Sequence, residues 1–465
     1  MVLRDKDSNS HYGGTNVLKK ISMGLLSAGL VVSLAACGSN NSDSKNSAPA
    51  SESPTNSASA PASAQNESVS LQIIGGDWDD ASITKLKDEN PDNLGYATRM
   101  AIEKDFPNYK VDFQNWGWAE DLDRKQRAAI LSGSVPDIVH GEGFMPTYAA
   151  EDILAPLPDD IVNAVNANFL LKNSKGQPVA VSPKGNVFML FYDKDLLQQS
   201  GIDPESVQLQ TWDDWKAVSD KITAAGAGKA FGGGVPSHPH AGGALRMTAI
   251  ARSVGADWGS GDKVTIDTPE MAKALQFVRD MDKNFPKGIG NGTDEGPLYK
   301  MFNEEKTLGF VINGTWQAGD AKTHSLNYGV ASLPVAAGGV PANTLVGFDY
   351  YGVANASKHQ EEAFNIIRTM LRKDLLGAAS KHDITPPATV ELQNDPEVLA
   401  VSPILKAGIE AITKGELTGL PVFSKNNSQI WDIINTKVIA RSTMTNDSIE
   451  KILKDAQAEA EKQLK

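Results

Sequence analysis

Three short loops combine hydrogen-bond acceptors with planar aromatic rings. Gly75-Gly76-Asp77-Trp78 follows one apolar run, Asn115-Trp116-Gly117-Trp118 a second, and His140-Gly141-Glu142 a third. Carboxylates and amides accept hydrogen bonds, and aromatic faces pack against C–H groups. Such loops therefore suit a solute that is polar around its edge and apolar on its faces, as a sugar ring is. The paired glycines let the backbone approach closely, and Asp77 offers two acceptor oxygens. Of Trp116 and Trp118, one is expected to reach the solute and the other to cap a helix. Trp78 either lines the site or covers an edge of the fold.

Other chemistries are excluded or disfavoured by spacing. His238-Pro239-His240 has the residue type of a metal site, but two histidines around a proline do not share a helix face, and no carboxylate lies close in sequence. The better reading for His238 and His240 is a loop facing a solute, with no metal expected. Gly226-Ala227-Gly228-Lys229-Ala230 lacks the first glycine of a phosphate-binding loop and has Ala230 where a hydroxyl is required. Neither GxSxG nor HExxH occurs. The one cysteine, Cys37, excludes an internal disulfide, a CxxC pair and a thiolate zinc cluster.

The elements that must position these loops alternate. Val69–Ile74 reads as a strand, Ala97 to Lys104 as an amphipathic helix, Lys110 to Phe113 as a second strand, Arg124 to Leu131 as a helix ending at Gly133, and Pro136 to Val139 as a third strand. Val187 to Tyr192 (VFMLFY) is a further strand. Thr211 caps a helix from Trp212 to Ala225, Thr268 caps one that starts at Pro269 and runs to Met281, and Ser448 to Leu464 is a charged amphipathic helix. Strands alternating with helices predict an α/β fold with a parallel or mixed sheet. Trp212, Trp215 and Trp258 are assigned to packing or surface loops.

The 465 residues suffice for a large core, and 40% hydrophobic with 22% charged residues exclude wholesale disorder. A formal charge of −13 without a basic block after the first twenty residues argues against nucleic acid as a partner. Lys19 and Lys20 precede the uncharged run Ile21 to Ala36, which is followed by Cys37 and Gly38. At about 16 residues the run is short for a membrane span but right for the apolar part of an export signal. Leu34-Ala35-Ala36-Cys37 resembles the bacterial lipobox, which implies cleavage before Cys37 and a diacylglycerol on its sulfur. Residues 38–68 contain no Val, Ile, Leu, Met or aromatic residue and read as a flexible tether with a reach of roughly 30 Å.

The order of segments resembles a specific family, the extracellular solute-binding proteins of ABC importers, of the carbohydrate type that includes the maltose-binding protein. The residues that carry the likeness are Ile102 to Pro107 (IEKDFP) with Val111, Ala129 to Ile138 (AILSGSVPDI), Phe191 to Leu197 (FYDKDLL), Met301 to Asn303, Gly309 to Trp316 (GFVINGTW), Tyr328 to Val330 with Leu333-Pro334, and Val346 to Phe348. The resemblance implies the type II periplasmic-binding-protein fold: two hinge-connected α/β lobes with a central ligand cleft. Residues 69–186 and 347–395 would form the N-terminal lobe, and residues 187–346 and 396–465 the other.

By matching positions, Asp77 and Trp78 fall where relatives hold an Asp-Lys ligand pair, and His140 where they hold a stacking tryptophan, with Glu142 near their acidic ligand. Asn186 matches a carboxylate at the first crossing between lobes. Trp316 and Trp431 match stacking tryptophans, Trp431 also being readable as helix core, and Asp349 and Tyr350 would face the hinge. The implied function is non-catalytic: the membrane-tethered, sugar-capturing component of an ABC importer. It would be a lipid-anchored monomer on the extracellular face, with a carbohydrate ligand, transmembrane permease subunits as partners and no cofactor. The alternatives are the same fold with a non-sugar solute, such as a polyamine or an organic anion, and a lipid-anchored glycoside hydrolase. A cationic solute would call for more cleft acids than Asp77, Glu142 and Asp349. An anionic one would need a cleft arginine that the sequence does not identify.

Overall fold

The computed structural model describes residues 68–75, 78–293, 295–339, 346–415 and 418–465. The expected leader, Cys37, most of the tether and Asp77 lie outside the described residues. Twelve short strands are seen among them: β1 (Val69–Ile74), β2 (Tyr109–Gln114), β3 (Ile138–Gly141), β4 (Leu170–Lys172), β5 (Pro178–Val181), β6 (Gly185–Asp193), β7 (Gly259–Ser260), β8 (Lys263–Val264), β9 (Phe310–Gly314), β10 (Tyr328–Ala331), β11 (Val346–Phe348) and β12 (Tyr350–Val353).

The first sheet has the order β2-β1-β3-β12-β5-β4 and is mixed: β1 runs parallel to β2 and β3, while β12 is antiparallel to β3 and β5. The second sheet is antiparallel around β6, with β10 and β11 on it and β9 also paired to it. β6 is the longest strand, and eight of its nine residues are buried. That burial explains its nearly unbroken apolar sequence. β7 and β8 form a separate hairpin.

The chain passes between the sheets at two adjacent points. Between β5 and β6 it crosses through Ser182 to Lys184, and between β11 and β12 it crosses at the single residue Asp349. The Asp349 N–H donates to the Ser182 hydroxyl at 3.1 Å, tying the two crossings together.

Local chemistry sets the helix ends that flank the loops of interest. Ala119–Ser132 stops at Gly133, whose φ of 76° is the left-handed conformation that glycine adopts without strain. Thr211 and Asp214 form a reciprocal capping box at the start of Trp212–Gly226, and Thr268 caps Pro269–Met281. β3 begins at Ile138, two residues later than the sequence suggests. Pro136 has no N–H for a ladder, and the Asp137 carboxylate accepts the Gln72 N–H at 2.7 Å. Trp212, Trp215 and Trp258 are buried in the core beside the second sheet, and the helix Ile449–Leu464 adds Ile449, Ile452, Leu453, Ala456 and Ala460 to the same core.

Candidate functional site

A cleft of about 1510 Å³ runs between the two sheets and is lined from both sides. Its base is built by strand register. β12 pairs antiparallel with β3 so that Tyr350 faces Gly141 and Tyr351 faces His140. One residue further along both chains, Asp349 and Glu142 leave their strands as neighbours. β11 pairs with β6 so that Gly347 faces Asn186, and the Asn186 Nδ2 donates to the Asp349 Oδ2 at 3.1 Å. Glu142, Asp349, Asn186 and Tyr350 all line the cleft.

Aromatic surfaces come from both sides. Trp118, at the entrance to Ala119–Ser132, is 43% exposed and sets its ring edge-on to His140 at 5.2 Å. Trp316 follows β9 and stands edge-on to Phe188 at 5.7 Å, and both rings line the cleft. Gly314 makes room for that indole, since a Cβ at 314 would lie 1.6 Å from the Trp316 ring. A side chain there would evict the tryptophan from its position.

The helix Ala241–Arg252 presents its first turn to the cleft. His240 caps it, its Nδ1 accepting the Gly242 N–H at 3.1 Å. The Ala241 N–H donates to Glu120 Oε1 at 3.1 Å, a hydrogen bond that bridges the cleft, because Glu120 belongs to the helix packed on the first sheet. The helix dipole favours the carboxylate at that end. Glu120→Ala is expected to remove this bridge, widening the cleft and raising the radius of gyration in small-angle scattering. The cost in stability should stay below about 1.5 kcal/mol, since the bond is exposed. An unchanged scattering profile would show that the bridge does not hold the sheets together.

One turn on, Arg246 is 3% exposed and uses all five of its N–H donors. Nε donates to the Ile312 carbonyl at 2.7 Å, and Nη1 to the Gly242 carbonyl and to Glu295 Oε1, each at 2.7 Å. Nη2 donates to the Tyr299 hydroxyl and to Asn313 Oδ1, the latter at 3.0 Å. Tyr299 in turn donates to Glu295 Oε2 at 2.7 Å. Burial alone would raise the Glu295 carboxyl, but Arg246 and the Tyr299 hydroxyl hold it below the usual carboxylate range.

Glu142 is in the opposite situation. Burial within the cleft, then Asp349, Glu120 and Glu295, push its carboxyl up to about 8, although part of its surface faces cleft water. Burial together with Asp349 also raises the Tyr350 phenol.

Of the residues singled out from the sequence, the structure brings Trp118, Glu142, Asn186, His240, Trp316, Asp349 and Tyr350 to the cleft wall. Trp78 touches the cleft but is only 2% exposed, because its ring packs on Phe113 and Tyr351. Trp116, His140, His238 and Trp431 do not line it. Trp116 donates its indole N–H to Gln114 at 2.6 Å and packs on a core cluster. His140 is fully buried against Tyr351, with centroids 4.4 Å apart, and burial drives its imidazole down to about 3. His238 is buried with its Nδ1 on the Gly292 carbonyl at 2.7 Å, stacked on His240. Trp431 packs between Phe423 and Trp258 and donates to the Pro421 carbonyl at 3.2 Å. Among the described residues no cluster of three or more His, Cys, Asp or Glu is arranged to hold a metal.

Glu120 and the Arg246–Glu295–Tyr299 group were not anticipated. A signal for Arg246 existed, since it is the only charge between Ala241 and Ala251. A lone charge in an apolar helix points to a buried ion pair.

Residues 87–375, more than half the chain, match the model of the bacterial extracellular solute-binding protein family. The chain belongs to this family. Its members bind solutes rather than transform them, which removes the glycoside-hydrolase alternative. The chain is 25% identical over 172 residues to the sn-glycerol-3-phosphate-binding periplasmic protein UgpB of Agrobacterium fabrum, covering 34% of this chain and 36% of the relative. It is 23% identical over 276 residues to the lactose-binding protein of Rhizobium radiobacter, covering 55% and 62%. It thus spans about a third and three fifths of the lengths of these two relatives. The maltose-bound MalE3 of T. maritima superposes with a TM-score of 0.69 at 20% identity, covering 84% of this chain and 98% of that one. The family member therefore has the α/β periplasmic-binding-protein fold expected from its sequence, with one mixed and one antiparallel sheet about the cleft. No described helix is long and apolar enough to cross a membrane.

Proposed function

We propose that the protein is the sugar-capturing component of an ABC importer, held at the outer face of the membrane by a lipid on Cys37. In this reading residues 69–186 with 347–395 and residues 187–346 with 396–465 act as two lobes that close on the solute by bending at the crossings. The observation that carries the reading is the composition of the cleft. The exposed Trp118 and the half-buried Trp316 approach from opposite sheets, and the acceptors Glu142, Asp349 and Asn186 lie at the base between them. That pairing of planar apolar faces with edge acceptors is what a pyranose requires.

The likeness to a glycerol-phosphate binder raises an anionic solute as the rival. The cleft supports it poorly. Arg246 has no donor left, Lys184 lies 2.9 Å from Asp383, Lys85 lies 3.5 Å from Glu89, and Lys172 is an exposed residue at the wall. A phosphate at the base would meet Glu142 and Asp349 instead.

A thermal-shift screen of the full chain against neutral mono- and oligosaccharides and glycerol 3-phosphate tests the solute class, since a bound ligand stabilises by RT ln(1 + [L]/Kd). Stabilisation by glycerol 3-phosphate alone would overturn the sugar reading. With a stabilising sugar in hand, Trp316→Ala is expected to weaken calorimetric affinity by at least about 1 kcal/mol, the worth of an aromatic contact beyond its buried area. Retained affinity would remove Trp316 from the site. Metabolic labelling with a fatty acid, lost in Cys37→Ser, tests the anchor.

A further inference from the structure

We propose that the cleft is built for a solute bearing a protonated amine beside its hydroxyls, an amino sugar or aminocyclitol, whose ammonium is received by Glu142, Asp349 and the Oδ1 of Asn186. The proposal rests on the carbohydrate reading above and narrows it.

Three observations converge. First, the antiparallel register of β12 on β3 sets Glu142 and Asp349 side by side where the chain changes sheet, and the Glu142 carboxylate has no hydrogen-bond or ion-pair partner among the described residues. Second, Asn186 is 5% exposed and spends its Nδ2 on Asp349, which leaves its Oδ1 as a buried acceptor without a donor at the cleft base. A buried acceptor left unsatisfied is a cost that a ligand N–H would relieve. Third, the arginine that lines the cleft among the described residues is saturated. All five donors of Arg246 are taken by Glu295, Tyr299, Asn313 and two carbonyls, so it neutralises Glu295 and nothing else.

The groups facing Glu142 are thus Asp349 from the crossing, Glu120 from Ala119–Ser132, and the Arg246–Glu295–Tyr299 cluster on the other side. The carboxyl keeps its proton in this surrounding. An ammonium supplies the missing positive charge and three donors, and the Glu142 proton leaves to solvent as it binds. Trp118 and Trp316 supply faces for a cation as well as for a sugar ring. To Glu142 and Asp349 the structure adds the nearby carboxylate of Glu120, while Glu295 is already paired with Arg246.

The test uses matched probes on the full chain at pH 7 by calorimetry: glucosamine and the chitosan disaccharide, each beside its N-acetylated form and its neutral parent, glucose or cellobiose. The amine form is expected to bind at least ten-fold more tightly than its neutral parent. It should also release a proton, seen as a dependence of the heat on the ionisation enthalpy of the buffer. Glu142→Gln should abolish both differences. If that variant fails to fold, proton release by the wild-type chain decides. Equal or tighter binding of the neutral or N-acetylated forms overturns the amine assignment and leaves the carbohydrate reading standing. Binding of none of these sugars, with spermidine bound instead, overturns the carbohydrate reading and this inference with it.

Discussion

Arg246→Met is expected to lower the stability of the protein by about 3–5 kcal/mol, the cost of removing one partner from a buried ion pair. The Glu295 carboxylate, the Tyr299 hydroxyl, Asn313 Oδ1 and the carbonyls of Ile312 and Gly242 would each lose a donor at once, although Tyr299 still donates to Glu295 and the Gly314 N–H to Asn313. Glu295 is held below the usual carboxylate range largely by the guanidinium, so without it the buried carboxyl must take up a proton or draw water into the wall. The double variant Arg246→Met with Glu295→Met removes both charges, and it should recover much of the loss because two apolar side chains need no counter-charge. Urea unfolding of the three proteins at pH 7 measures this. A single variant as stable as the wild type would mean that Arg246 is not a structural strut and is available to a ligand. That outcome would revive an anionic solute.

The same cluster shows where the sequence is and is not legible. Helix ends are set by neighbours a few residues apart, so Thr211 with Asp214, Thr268 with Pro269, and Gly133 announce their elements without tertiary information. β12 is four residues long, and its pairing joins distant residues, as when Tyr350 meets Gly141. No window of sequence holds both partners, so this strand cannot be read locally, whereas β4 and β5 pair a few residues apart and are hidden by being three and four residues long. In the cleft, residue type and position after a strand point to Trp118 and Glu142, the His-Pro-His loop points to His240, and the family resemblance points to Asn186, Trp316, Asp349 and Tyr350. They do not reveal the direction of a ring. The indole of Trp431 serves Phe423 and Trp258 as well as it would serve a sugar, and His140 turns into the core while the adjacent loop turns out. The partner of Arg246 is illegible for a further reason: Glu295 lies 49 residues away, in a segment with no pattern of its own.

Glu142→Gln should change how stability responds to pH more than it changes stability at any one acidic pH. The folded carboxyl titrates near 8, against about 4.3 in an unfolded chain. Between those values the folded protein binds a proton that the unfolded chain has released. The contribution of Glu142 is therefore fully present below about pH 4.3, falls through the window and is lost once pH rises past about 8. The slope is bounded by about 1.4 kcal/mol per pH unit. Cleft water and relaxation of the sheets reduce the realised loss to about 2–3 kcal/mol. Asp383 works in the other direction and outside the window: against burial, Lys184 holds its carboxyl at about 2, so its contribution is present above about pH 3.9 and disappears only below that. Glutamine cannot ionise, so the variant should match the wild type near pH 5 and exceed it near pH 8.5, as read from urea midpoints at the two values. Parallel pH profiles would mean that Glu142 is ionised throughout in the folded chain, with its charge met by a partner at the cleft base.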